Sequence, residues 1–307
     1  MSSSSSASAV VPVPVLSFSD KVVVVTGGGS GIGKALCDAF VEAGAGVGVA
    51  LDLPHKLSST SNGRVWSLPC DVTCPSQVSQ TIQSIKNRTH NKIDIYCSNA
   101  GILVPSDDAT NDSCVKHGVE EWNRILQVNL ISHITALTCL LPDWERGIGD
   151  GHFCVTASAA GLLTMVGDAS YGVSKAAAVS FCEHVQIAHS PSVKVHCLCP
   201  QAVSHTNLMP ITNTDSSSHN TNAAMTDGAL SPQEVACATL QGIQNNDFFI
   251  FPHTTVPKYV LRKAQNHKRW IQGMQRMRNT LFPQQQQQQQ QQDEDSGTKL
   301  LLQRSKL

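Results

Sequence analysis

Three observations predict an α/β fold, a doubly wound parallel sheet of about seven strands with helices on both faces. Short β-branched runs alternate with amphipathic stretches, a glycine-rich turn follows the first run, and an acid closes the second. The opening run, Lys21 to Thr26, leads into helical spacing from Ile32 to Ala43. Further strand-like runs cover Ala45 to Asp52, Val65 to Asp71, Ile93 to Cys97, His152 to Ala157, Val193 to Cys199 and Phe248 to Phe251. Helical patterns lie between them, notably Glu120 to Leu141 and Tyr171 to Ala188. Strands that are apolar throughout belong in a sheet covered on both faces, and crossover helices supply the cover.

The two ends read differently. Residues 1–19 open on serines, place Pro12 and Pro14 inside a short apolar patch, and hold no basic residue. A disordered leader is expected there, not a secretory signal. One α/β domain is expected over 20–282. Residues 283–307 carry an unbroken glutamine tract, Gln284 to Gln292, and a polar tail. Such sequence buries too little apolar surface to offset its ordering entropy, so disorder is expected again. Its last residues, Ser305, Lys306 and Leu307, match the peroxisomal address and imply an import receptor as partner. Inside the domain, polar residues from His205 to Leu230 predict a long loop ending in a capping box, Ser231-Pro232-Gln233-Glu234.

Composition narrows the function. A net charge of -1 over 307 residues gives no electrostatic footprint for nucleic acid. The 11 cysteines form no C-x-x-C and the 12 histidines no H-E-x-x-H. Buried thiols and no metal are therefore expected. No uninterrupted apolar run approaches the ~18 residues a membrane span needs, so no transmembrane segment is expected.

The turn Gly27-Gly28-Gly29-Ser30-Gly31-Ile32-Gly33 sits where a strand hands over to a helix. Glycines there let backbone N–H groups approach a pyrophosphate at the positive end of the helix. Asp52 ends the next strand at the spacing of a ribose acceptor. It would accept from the 2′-hydroxyl and repel a 2′-phosphate, which points to NAD; a turn or cap role before Pro54 is the alternative. No basic residue lies in the glycine turn, and Lys34 follows just beyond it.

More motifs follow in order: Asp71-Val72, Asn99-Ala100-Gly101, Val128-Asn129, Ser158, and Tyr171-Gly-Val-Ser-Lys175. Tyr171 and Lys175 stand at i and i+4, on one helix face, where an ammonium favours a phenolate. With this spacing the chain resembles the short-chain dehydrogenase/reductase family, in its compact single-domain branch with a Rossmann-type sheet.

The resemblance implies an NAD(H)-dependent interconversion of a secondary alcohol and a ketone. It makes Tyr171 the acid/base, Ser158 the holder of the substrate oxygen, Lys175 a contact to the nicotinamide ribose, and Asn129 a proton relay. Gly27, Ser30, Gly31, Ile32, Gly33, Asp52, Asp71, Val72, Asn99, Ala100, Gly101 and Pro200 would bind the cofactor along with Tyr171 and Lys175. It also implies a homodimer or homotetramer packed through the two long helices, whose Trp122, Ile125, Phe181 and Val185 could equally be core. One departure stands out: Pro200 is followed by Gln201 where the family usually has Gly, and His205 or Thr206 stands where it has a cofactor-contacting Thr. A catalytically silent dinucleotide sensor on the same fold is the rival reading, though such proteins typically lack the tyrosine or lysine.

Residues 248–292 contain no Asp or Glu, while Lys258, Arg262, Lys263, Lys268, Arg269, Arg276 and Arg278 are basic. Trp270, Met274, Met277 and Leu281 follow helical spacing. This stripe either packs on the domain or a partner subunit, lies on a membrane surface, or lines the pocket for a lipid-derived alcohol or ketone carried as an anionic acyl thioester.

Overall fold

The computed structural model describes residues 17–57, 65–103, 113–115, 118–206 and 227–282. The expected leader up to residue 16, most of the polar loop, and the glutamine tail with its terminal tripeptide lie outside the described residues.

Seven parallel strands form one sheet in the order β3-β2-β1-β4-β5-β6-β7. They are β1 (Val22–Thr26), β2 (Val47–Asp52), β3 (Val65–Pro69), β4 (Ile95–Ser98), β5 (His152–Thr156), β6 (Lys194–Leu198) and β7 (Phe249–Ile250). The strand order reverses direction between β1 and β4, and their carboxyl ends part there to leave the crevice in which such sheets bind ligands. β1 explains the two-layer cover. Its residues alternate in direction, as a strand requires. Val22 and Val24 join the core with Ile82 and Ile85 of α2 (Pro75–Arg88), Leu140 of α4 (Ser132–Trp144) and Val185 of α6 (Ala169–His189). Val23 and Val25 face the other way, onto Leu36 and Phe40 of α1 (Gly31–Glu42) and Leu240 of α7 (Pro232–Asn245).

The boundaries shift in places. Phe18, expected in the leader, is buried with its ring edge-on to Phe40 at 5.0 Å. The domain therefore takes in residues ahead of Asp20. The third strand closes at Pro69, two residues short of Asp71. The capping box at Ser231 is formed in full, with Ser231 Oγ accepting from Glu234 N at 3.2 Å and Glu234 accepting from Ser231 N at 2.7 Å.

The stretch expected as one helix from Glu120 to Leu141 is α3 (Val119–Leu126), a π turn (Gln127–Ile131) and α4. By length and average hydropathy, Val119–Trp144 is apolar enough to cross a membrane; here it packs on α2 and α6 and buries Asn129 and His133. Ile125 and Val185, weighed for subunit packing, are core residues instead. The apolar side chains that α4 and α6 expose are Ile134, Val173 and Ile187. All 11 cysteines are free thiols, and no cluster of metal-ligating side chains occurs among the described residues.

The C-terminal stripe is carried by two helices. α8 (Val256–Gln265) ends at Asn266, whose side chain accepts from Arg269 N at 2.9 Å and starts α9 (His267–Leu281). Both lie over α5 (Ala159–Leu163).

Candidate active site

The glycine turn is shaped by two backbone requirements. Gly27 and Gly31 adopt left-handed conformations, at φ 68° and 51°, that glycine adopts without strain. At Gly33 a Cβ would overlap the Gly27 carbonyl oxygen, so the turn can close on the helix only without a side chain. This is a cradle cut to the width of a backbone, as a pyrophosphate site demands. Asp52 stands at its edge, where one carboxylate oxygen accepts from Gly29 N at 3.0 Å and the other from Leu53 N at 2.8 Å. The acid thus braces the turn, and each oxygen keeps a lone pair for a ribose hydroxyl. Lys34 is drawn off by Asp38 at 2.6 Å. Lys56 was missed by sequence reasoning: a short 3-10 turn, Pro54–Lys56, brings it to the groove wall beside Asp52.

Asp71 begins the turn into α2, with Oδ1 accepting from Thr73 N at 2.9 Å and Thr73 Oγ1 at 2.7 Å. Asn99 is a pin across three strand ends. It donates to Thr26 O at 3.0 Å, accepts from Thr156 Oγ1 at 3.0 Å, and its backbone N donates to Thr26 Oγ1 at 2.9 Å. The pin holds Ala100 and Gly101 on the groove floor.

Ser158 caps α5, its Oγ accepting from Ala160 N at 3.1 Å. α6 is capped by Asp168, which accepts from Tyr171 N at 2.9 Å and Ser170 Oγ at 2.7 Å. Asp168 fixes the first turn and so the place of Tyr171; a capping acid three residues ahead was its legible signal. Burial pushes the Tyr171 phenol up to about 12, while a hydrogen bond with the Ser158 hydroxyl pulls the other way. The Lys175 ammonium lies 5.8 Å from the ring centroid and donates to Thr156 O at 2.7 Å. Burial also draws Lys175 down to about 8.

Asn129 is fully buried in the π turn, a helix irregularity frequent at functional sites. Its amide donates to Ile102 O at 2.9 Å and Ser174 Oγ at 3.0 Å and accepts from Ile102 N at 2.9 Å. It clasps the β4 loop to α6 instead of facing the groove; its neighbour Val128 lines the groove.

Every other residue expected at the site lines one groove of about 220 Å³ along the strand ends. Gly27, Ser30, Gly31, Ile32, Gly33, Asp52, Asp71, Val72, Asn99, Ala100, Gly101, Ser158, Tyr171, Lys175 and Pro200 all reach it. Thr206 also reaches it, whereas His205, in a left-handed conformation, is not among the lining residues. A second cavity of about 840 Å³ adjoins, walled by α5, α8 and α9. Ser158, Tyr171 and Gln201 line both. Gln201 is anchored, its N donating to His253 Nδ1 at 3.2 Å and its Oε1 accepting from Thr255 Oγ1 at 3.4 Å.

The family model for short chain dehydrogenases matches residues 21–216, well over half of the sequence. The chain belongs to the short chain dehydrogenase family. Its members are oxidoreductases acting on hydroxyl groups, with a nicotinamide dinucleotide as cofactor. Among curated relatives, a 1-deoxy-11-beta-hydroxypentalenate dehydrogenase of Streptomyces arenae is 26% identical over 238 residues, 74% of this chain and 80% of that protein. A 3-hydroxyacyl-CoA dehydrogenase type-2 of Drosophila melanogaster is 30% identical over 157 residues, 48% of this chain and 61% of that protein. Of solved structures, a short chain dehydrogenase/reductase from Burkholderia phymatum in complex with NAD aligns with a TM-score of 0.65 at 23% identity, covering 81% of this chain and 94% of that one. A Burkholderia cenocepacia J2315 short chain dehydrogenase in complex with NADP aligns at 0.66 and 20% identity, over 82% and 96%. The shared architecture thus spans both cofactors.

Proposed function

We propose that the chain is an NAD(H)-dependent oxidoreductase that interconverts a secondary alcohol and a ketone on a lipid-derived substrate, with Tyr171 as acid/base. The observation that carries this is the junction of groove and cavity: Ser158 and Tyr171 line both, so a hydroxyl entering from the cavity meets them where the groove ends. When bound, the nicotinamide ring takes or gives the hydride. The remaining work falls to the chain. Ser158 holds the substrate oxygen while charge grows on it. Tyr171, protonated at neutral pH, donates its proton to that oxygen as a ketone is reduced. In the opposite direction it must take the proton back, and the Lys175 cation beside the ring lowers the cost. Asn129 acts as a positioning residue, holding Ile102 at the groove and Ser174 in the turn before Lys175.

Asp52 supports NAD over NADP, and Lys56 opposes it; the buried, doubly braced carboxylate is the nearer match to the ribose edge of the groove, so NAD is the cofactor in this reading. The exposed Ile134, Val173 and Ile187 on α4 and α6 support a homodimer or homotetramer through these helices. Ser305, Lys306 and Leu307 support a peroxisomal location. A silent dinucleotide sensor would leave tyrosine and lysine without a task, whereas both line the groove.

The test is Tyr171→Phe, assayed by nicotinamide absorbance against a panel of secondary alcohols and ketones. Turnover should fall by about 10²–10⁴-fold while NADH affinity stays within a few-fold. Near-normal turnover would overturn the mechanism.

A further inference from the structure

The cavity beside Tyr171 has a one-sided charge. Three arginines line it and, among the described residues, no Asp, Glu or Lys does. Arg262 comes from α8, its guanidinium 5.7 Å from the Tyr259 ring centroid; Arg269 and Arg276 come from α9, two turns apart on one face. None of the three forms an ion pair among the described residues. The carboxylate that faces α8, Asp227, already accepts from Thr255 Oγ1 at 2.9 Å and Tyr259 OH at 3.0 Å. The same cavity is lined by the apolar Leu163 and by Trp270, Met274 and Met277, which alternate with Arg269 and Arg276 along the chain. Two side chains fasten this wall to α5: Lys263 Nζ donates to Leu162 O at 2.6 Å, and Trp270 Nε1 to Leu163 O at 3.1 Å. A cavity that joins the Ser158 and Tyr171 hydroxyls, an apolar wall and three arginines fits one kind of molecule.

We propose that the cavity takes an elongated apolar substrate bearing an anionic oxygen group, a carboxylate or a phosphate, held by Arg262, Arg269 and Arg276 while its reacting carbon lies at Ser158 and Tyr171. This deepens the activity proposed above and rests on it only for the reacting end. Guanidinium groups match such anions by paired N–H donors, and the apolar stretch contributes through surface removed from water. The volume, about 840 Å³, falls in the range of small-molecule sites. Lys268, weighed with Arg269 as an anion contact from sequence, does not line the cavity.

Binding separates this proposal from turnover. Dodecanoate, dodecyl phosphate and dodecanol are titrated into the full chain without cofactor, below their aggregation limits, following tryptophan fluorescence, to which Trp270 in the wall contributes. The two anions should bind about tenfold more tightly than the alcohol, and Arg269→Gln or Arg276→Gln should each weaken the anions about fivefold while sparing the alcohol. Lys268→Gln should change none of the three. Equal affinity of acid and alcohol in the wild type overturns the proposal, as does an equal loss for all three ligands in the arginine variants. A response confined to anionic vesicles, with monomeric ligands silent, also overturns it and assigns α8 and α9 to a lipid surface. Because no hydride moves in this assay, inactivity of the enzyme toward the alcohol and ketone panel would leave its outcome intact, and the two failures remain distinct.

Discussion

Replacing Asp52 with asparagine keeps the shape of the residue and removes its charge. In the structure the two oxygens serve Gly29 N at 3.0 Å and Leu53 N at 2.8 Å. The substituted amide, carrying one oxygen in place of two, leaves one of these N–H groups unpaired, which costs about 1–2 kcal/mol of stability. The larger effect is on cofactor choice. A 2′-phosphate about 4 Å from a carboxylate at a partly screened site is disfavoured by up to about 4 kcal/mol per unit charge, and less once salt is present. Taking about 2 kcal/mol as the surviving repulsion, the ratio of NADPH to NADH dissociation constants should fall roughly thirtyfold in Asp52→Asn. Lys56→Met gives the opposite arm: losing the cation of this groove-lining residue should raise the same ratio by a few-fold. Fluorescence titration with each reduced cofactor measures both without any substrate. If the ratio is unchanged in Asp52→Asn, the carboxylate does not meet the ribose, and the assignment of NAD falls with it.

Lys175 has its pKa drawn down to about 8 in the folded chain from 10.5 in the open one, so between those values the unfolded state holds the extra proton and stability rises with pH. Urea unfolding should show the wild type gaining about 2 kcal/mol over Lys175→Met between about pH 7.5 and about pH 10, and parallel curves would refute the buried cation. A fluorescent protein fused ahead of the sequence should reach peroxisomes, and deleting Leu307 should return it to the cytosol; unchanged staining would refute the address.

The sheet was legible because its strands are short, largely apolar runs that need cover on both sides, and the groove because its motifs fall at strand ends. What escaped was set by tertiary contact. The π turn left no mark in the apolar pattern of 120–141, since the amide of Asn129 is bound to a distant loop at Ile102. Lys56 reaches the groove through a three-residue turn that propensity does not separate from an ordinary bend. The raised pKa of Tyr171 depends on how deeply the phenol is buried, which i, i+4 spacing cannot express. The two-helix character of the C-terminal stripe was written in Asn266, a capping residue in the midst of the apolar period, but only its bond to Arg269 N marks it as a break.

α5 is only five residues long, about 7 Å from end to end. Its first residue follows Ser158, whose Oγ is its cap, and its last two carbonyls are gripped by Lys263 and Trp270. Such a rod is too short to bend. A ligand seated against the α8–α9 wall therefore bears on the same short helix that Ser158 caps. Chain length and headgroup charge would be felt directly at the serine that holds the reacting oxygen, and a tail that seats badly would spoil the chemistry even when the reacting carbon itself fits.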